Sequence, residues 1–204
     1  MKRLAALALA VAGLAFTSKD DVTFYVGHHA KFINITFDSH ADIETILGTT
    51  NTAKGEITAD LEKGTGSVSL TVPVASMKTG IDMRDEHLRS PMWMDAAKYP
   101  DITFVSKKVE KADKAGRVKV TGDFTLHGVA KEVTVLVDWK ELPAEALKKS
   151  GFPEGRWLKF STEFPVKLSD HGIKIPDGGV GKVNDTWNVK MAIFAGTAKV
   201  EEKK

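Results

Sequence analysis

The densest run of chemically capable side chains is Arg84, Asp85, Glu86, His87 and Arg89, which leads straight into Met92, Trp93 and Met94. Two guanidinium forks suit carboxylate or phosphate oxygens. Charge set beside large apolar side chains suits the mouth of a pocket for a molecule with a polar head and an apolar tail. The same residues can equally form a helical turn whose charges face water while Leu88, Met92 and Trp93 plug the end of a barrel. Ser90, His87 and Asp85 have the types of a nucleophile, a base and an orienting acid. So close together, they are better explained by helix capping and ion pairing. There is no GxSxG run and no cysteine, and no catalytic residue is assigned.

Other chemistries find less. His28 and His29 are adjacent, so on a strand they face opposite sides and cannot grip one ion. His40, His87, His127 and His171 stand apart, with no HxH or HExxH spacing, and are read as structural or solvated rather than metal ligands. Gly178-Gly179-Val180-Gly181 precedes a strand, whereas a phosphate cradle opens a helix. No metal and no cofactor is expected. The absence of cysteine also removes thiolate chemistry and disulfides, so the fold must rest on its core.

The elements that must position these residues beat with a period of two. Val68, Leu70, Val72 and Val74 alternate with small polar residues, and the beat returns at Val133 to Trp139, Leu158 to Leu168 and Trp187 to Ala195. Further strands fit Val22–Val26, Ala30–Phe37, Lys54–Leu61, Asp101–Val109 and Val118–Leu126, with turn signals at Lys63 to Gly66, Ala112 to Gly116, Leu126 to Gly128 and Pro176 to Gly179. Helix formers interrupt at Met83–Ala97 and Pro143–Lys149. About nine strands predict an all-β, single-domain antiparallel barrel, close to the number whose interior holds one small ligand. The same inward side chains would fill a dry core equally well, so periodicity leaves cavity and solid core both open.

At the amino terminus, Lys2 and Arg3 precede an apolar run, Leu4 to Phe16, too short to span a bilayer and of the length of an export signal. Removal of residues 1–15, with a cut after Ala15, predicts a periplasmic or secreted protein with no integral membrane segment in the mature chain. Losing Lys2 and Arg3 takes two from the 29 Lys and Arg and leaves them equal to the 27 Asp and Glu. A near-neutral chain has no basic field for nucleic acid.

Three stretches carry a resemblance: RDEHLRS at 84–90, YPDITFVS at 99–106 and GDFTLHGVAKEV at 122–133. In order and spacing they resemble the RDxHLRS, YPxxTFxS and GDLTxxGVTKPV pattern of the YceI-like family of periplasmic, lipocalin-like proteins. The resemblance covers nearly all of the mature chain, residues 19–200. It implies a barrel of eight to nine strands with short helical insertions, enclosing an isoprenoid, an isoprenoid quinone or a fatty-acid-like chain without catalysis, and by analogy a possible homodimer. On matching positions it points to Arg84, Asp85, His87, Leu88 and Arg89, to Met92 and Trp93 in the following turn, to Phe104 in the second motif, and to His40 ahead of Gly48 and Gly55. The chain departs from the pattern in its first third, ADIETILGTTNTAKGEI, and at Ala130 and Glu132. The segment Leu142–Gly155 either caps the barrel or is ornament. Two rivals stand beside the carrier: a hydrolase of amphiphiles with His87 or His127 as base, and a solid-core envelope stress protein acting through a protein partner.

Overall fold

Ten strands alternate along the chain with turns set by glycine and short polar runs. They are β1 (Val22–Val26), β2 (Ile33–His40), β3 (Thr45–Thr50), β4 (Lys54–Asp60), β5 (Thr65–Pro73), β6 (Asp101–Lys111), β7 (Arg117–Leu126), β8 (Val129–Glu141), β9 (Trp157–Lys167) and β10 (Thr186–Gly196). Two helices interrupt them, α1 (Asp82–Arg89) and α2 (Ala144–Lys149). The computed structural model describes residues 21–200, and the export signal expected at residues 1–15 lies outside them. No helix among the described residues is long and apolar enough to cross a membrane.

The strands form one antiparallel sheet in the order β1-β4-β5-β6-β7-β8-β9-β10-β2-β3, and β1 also pairs with β10, which closes an eight-stranded barrel. The extra pair, β2 and β3, prolongs β1 and β4 past a break. Val26 still faces Gly55, pairing resumes at Ile35 opposite Thr50, and the unequal segments between form an irregular step. A 3-10 turn, Ala30–Phe32, occupies that step, so the strand expected from Ala30 begins only at Ile33. β3 falls where the sequence offered no alternating grease, and the helix expected over 83–97 ends at Arg89.

One end of the barrel carries the β4–β5 and β6–β7 turns and the β8–β9 connection with α2; call it the upper end. The lower end carries α1, the two-residue β7–β8 turn and the long β9–β10 connection. The β7–β8 turn needs left-handed backbone at both central positions, which His127 (φ 52°) and Gly128 (φ 73°) supply. The core is divided in the same sense. An upper cluster contains Phe24, Ile33, Ile57, Leu158 and Ile193. A lower one contains Phe37, Leu88, Met94, Leu126, Leu168 and Trp187. Both send side chains to the wall of a single internal space.

Candidate functional site

That space is made by the alternation itself. Val68, Leu70 and Val72 of β5, Val133 to Trp139 of β8, Phe160 to Val166 of β9 and Trp187 to Ile193 of β10 turn every second side chain inward, and those side chains are the wall. The barrel is therefore hollow rather than solid. The cavity volume is about 190 Å³. The lining runs from Asp60, Leu61 and Gly64 at the upper end to Met77, Met94 and Leu168 at the lower.

The wall is almost wholly hydrocarbon. Thr162 interrupts the β9 face, but its hydroxyl donates to the Leu136 carbonyl at 2.8 Å and is spent within the wall. Thr50 shares a 2.7 Å hydrogen bond with Ser76. Asp60 is the one ionisable residue of the lining among the described residues. Its carboxylate accepts the backbone N–H groups of Glu62 and Lys63 and, at 2.7 Å, the Lys63 ammonium. The hydrogen bonds from Lys63 hold that carboxyl below the usual carboxylate range. It pins the β4–β5 turn and offers no vacant charge to a guest.

The segment Arg84 to Met94 closes the lower end instead of forming an entrance. Asp85 is 4% exposed and accepts both the backbone N–H and the hydroxyl of Thr79 at 2.6 Å. Burial by itself would raise its carboxyl, but the hydrogen bonds from Thr79, with the charges of Arg89 and Lys78, outweigh that and hold it below the usual range. Arg84 donates to Glu44 at 2.7 Å and to the Thr79 hydroxyl and carbonyl, one bond from each nitrogen of its fork. These bonds fasten α1 to the β2–β3 connection and to the chain after β5. Once fastened, α1 drops Leu88 into the lower cluster, and the turn after it brings Met94 to the end of the cavity.

Of the positions to which the family resemblance pointed for ligand binding, only Phe104 lies in the cavity wall. Arg84, Asp85 and Leu88 hold the stopper in place. His87 is exposed, and its carbonyl accepts the Ser90 hydroxyl and N–H at the helix end. Arg89 adds its charge to Asp85. Met92 is 66% exposed, and Trp93 lies against Gly179, half-buried at the edge of the lower cluster. His40 ends β2 at the surface, 3.2 Å from the Asp38 carboxylate, outside the cavity. The expected opening beside the guanidinium groups is thus corrected, because the apolar residues of that stretch are consumed as plug. What the choice of residues missed, Phe37, Phe124, Trp139, Phe160, Phe164 and Trp187, are inward members of strands. Strand parity was the signal that could have found them.

The other two motifs are structural in the same way. Tyr99 packs on His127 at 4.4 Å and covers Gly128, fixing the β7–β8 turn. Ser106 accepts the Val68 N–H at 2.7 Å beside the irregularity in β6. His171 is buried and bonds the Val129 carbonyl through Nδ1 at 2.9 Å.

Comparison with known proteins agrees with this geometry. The profile of the YceI-like domain matches residues 24–195. A UPF0312 protein of Vibrio parahaemolyticus is 39% identical over 205 residues, covering 98% of this chain and 85% of its own. Among solved structures, BcnA of Burkholderia cenocepacia superposes with a TM-score of 0.69 at 24% identity, covering 81% of this chain and 98% of its own. A polyisoprenoid binding domain from Saccharophagus degradans, implicated in plant cell wall breakdown, superposes with a TM-score of 0.64 at 16% identity, covering 86% and 98%. With the profile spanning the barrel and a relative matched along nearly its whole length, this chain belongs to the YceI-like family.

Proposed function

We propose that this protein binds a long apolar or amphiphilic chain, an isoprenoid, an isoprenoid quinone or a fatty-acid-like molecule, inside its barrel and carries it without chemical change. The observation that supports this most is the hydrocarbon-walled cavity running between the two core clusters. Thr50, Asp60 and Thr162 of that wall spend their polar groups on hydrogen bonds within the protein. The polyisoprenoid-binding neighbour of the same fold points to the same class of guest. Burial supplies about 0.8 kcal/mol per CH₂, so a dozen enclosed carbons contribute about 10 kcal/mol, enough for firm binding without any reactive group. The apolar run at Leu4–Phe16 supports export, so that the carrier would work in the periplasm or outside the cell.

Native mass spectrometry of gently purified protein, followed by solvent extraction, tests the reading. A co-purified apolar molecule, released by extraction and replaced by added geranylgeraniol, is the expected result. Protein that is always empty and takes up no prenyl alcohol would overturn it.

A further inference from the structure

Trp187 brings a polar atom without a partner to a largely hydrocarbon wall. It is 5% exposed, stands in the wall near the closed lower end, and its indole Nε1 has no hydrogen-bond partner. One ring face is fixed by Phe37, stacked at 5.0 Å with 10° between the planes. Deep burial of an N–H without an acceptor is unfavourable and rare in folded proteins, where such groups find protein, water or ligand oxygens. The neighbouring side chains of the lower cluster, Phe37, Met77, Met94 and Leu168, bring no oxygen to it. A water-sized sphere does not reach the atom from the cavity side either, so an acceptor meets it only where a guest displaces the side chains that cover it.

Resting on the carrier reading above, we propose that Trp187 Nε1 is the donor of an acceptor subsite at the closed end of the cavity, which takes one uncharged oxygen of the bound molecule. A carbonyl or ether oxygen is the chemistry that fits, since indole N–H is a donor only. A phosphate does not fit. Among the described residues no charged side chain belongs to the lining at this end, and Arg84 and Asp85 nearby are engaged elsewhere, Arg84 with Glu44 and Thr79 and Asp85 with Thr79. An anion buried there would lack a counter-charge, which is strongly unfavourable. Met77 and Met94, which share the lining and the lower cluster with Trp187, are unbranched and adaptable, so they can shift to admit an oxygen at this end. The oxygen-bearing end of the guest therefore lies at the stoppered end, with hydrocarbon extending toward the β4–β5 turn.

Two probes of similar chain length separate this role from plain packing: geranylgeranylacetone, a prenyl ketone, and phytane, a hydrocarbon. In the wild-type protein, the indole N–H signal of Trp187, assigned among the four Trp by through-space contacts, should move downfield with the ketone and not with phytane. Trp187→Phe keeps a ring against Phe37 and deletes the N–H. It should lower the ratio of ketone to phytane affinity roughly tenfold or more. An unchanged ratio, or an unmoved indole signal while methyl groups of the cavity wall shift with the ketone, would overturn the subsite and leave the carrier reading standing. Failure of both probes to shift any wall methyl would overturn both. Should Trp187→Phe not fold, the wild-type indole signal decides alone.

Discussion

The ring of Phe37 lies where a side chain on Gly48 would be: a Cβ built there falls 2.0 Å from Phe37 Cζ. Phe37 of β2 and Gly48 of β3 are paired residues, so the bare glycine is what lets the ring lie flat across the neighbouring strand and stack on Trp187. Gly48→Ala should therefore destabilise the fold by about 1–3 kcal/mol, as overpacking does. Adding Phe37→Leu should recover part of the loss. Urea unfolding of the two variants checks this, and a single Ala variant as stable as wild type would contradict the packing described.

The same pair shows why β3 was illegible in the sequence while most of the barrel was not. Inward positions of β5, β8, β9 and β10 are, but for Thr162, Val, Leu, Ile, Phe, Trp and Met, so the period of two stands out. Inward positions of β3 are Ile46, Gly48 and Thr50, and two of these carry no grease. Their job is to accommodate Phe37 and to bond Ser76. The site was misplaced for a related reason. Charge and grease at Arg84–Met94 have the composition of a binding mouth and of a stopper alike, and the partners that decide between them, Glu44 and Thr79, lie outside the motif. Whether inward side chains meet or leave a gap depends on barrel diameter, which strand periodicity does not encode.

Asp85 is a fastening whose strength should depend on pH. Its folded-state carboxyl is held below the usual range, so the stability it contributes is fully present above the ordinary Asp value of about 3.9 and is lost as pH falls through the lower, folded value. Asp85→Ala leaves the half-buried Thr79 N–H and hydroxyl without their acceptor and should cost about 1–3 kcal/mol at neutral pH. Melting curves at pH 7 and near pH 3 should show the two proteins converging in acid. A gap of the same size at both would mean that the carboxylate charge is not what matters.

His28 should act in a higher window. Its ring packs at a tilt against Trp157, 4.8 Å between centroids, with a buried, unpartnered Nε2. Burial, and to a lesser degree the neighbouring His29, lower its pKa against a raising hydrogen bond with the Ala198 backbone. Below the ordinary His value of about 6.5 the unfolded chain takes up this proton more readily than the folded one, so stability falls as pH drops from there toward the folded value. His28→Phe keeps a ring beside Trp157 and cannot take the proton. Its thermal melts should lose part of the decline that wild type shows between pH 7 and pH 5, and identical profiles would remove His28 from the account.

The barrel's capacity should be set by length along its axis, which a single large side chain can shorten. Val135 on β8 faces inward opposite Val120 on β7, and both belong to the cavity wall. Val135→Trp projects an indole into empty space rather than into packed core, so melting should change little, unlike overpacking of a filled interior. Binding should change in a length-dependent way. A short prenyl alcohol such as geraniol fits on one side of the obstruction, whereas geranylgeraniol loses the carbons that would have lain beyond it. At about 0.8 kcal/mol per CH₂, five displaced carbons weaken the long chain by about 4 kcal/mol, on the order of a thousandfold. Displacement titrations with the two alcohols read the difference directly. Equal losses for both would mean that the chain does not run lengthwise through the barrel.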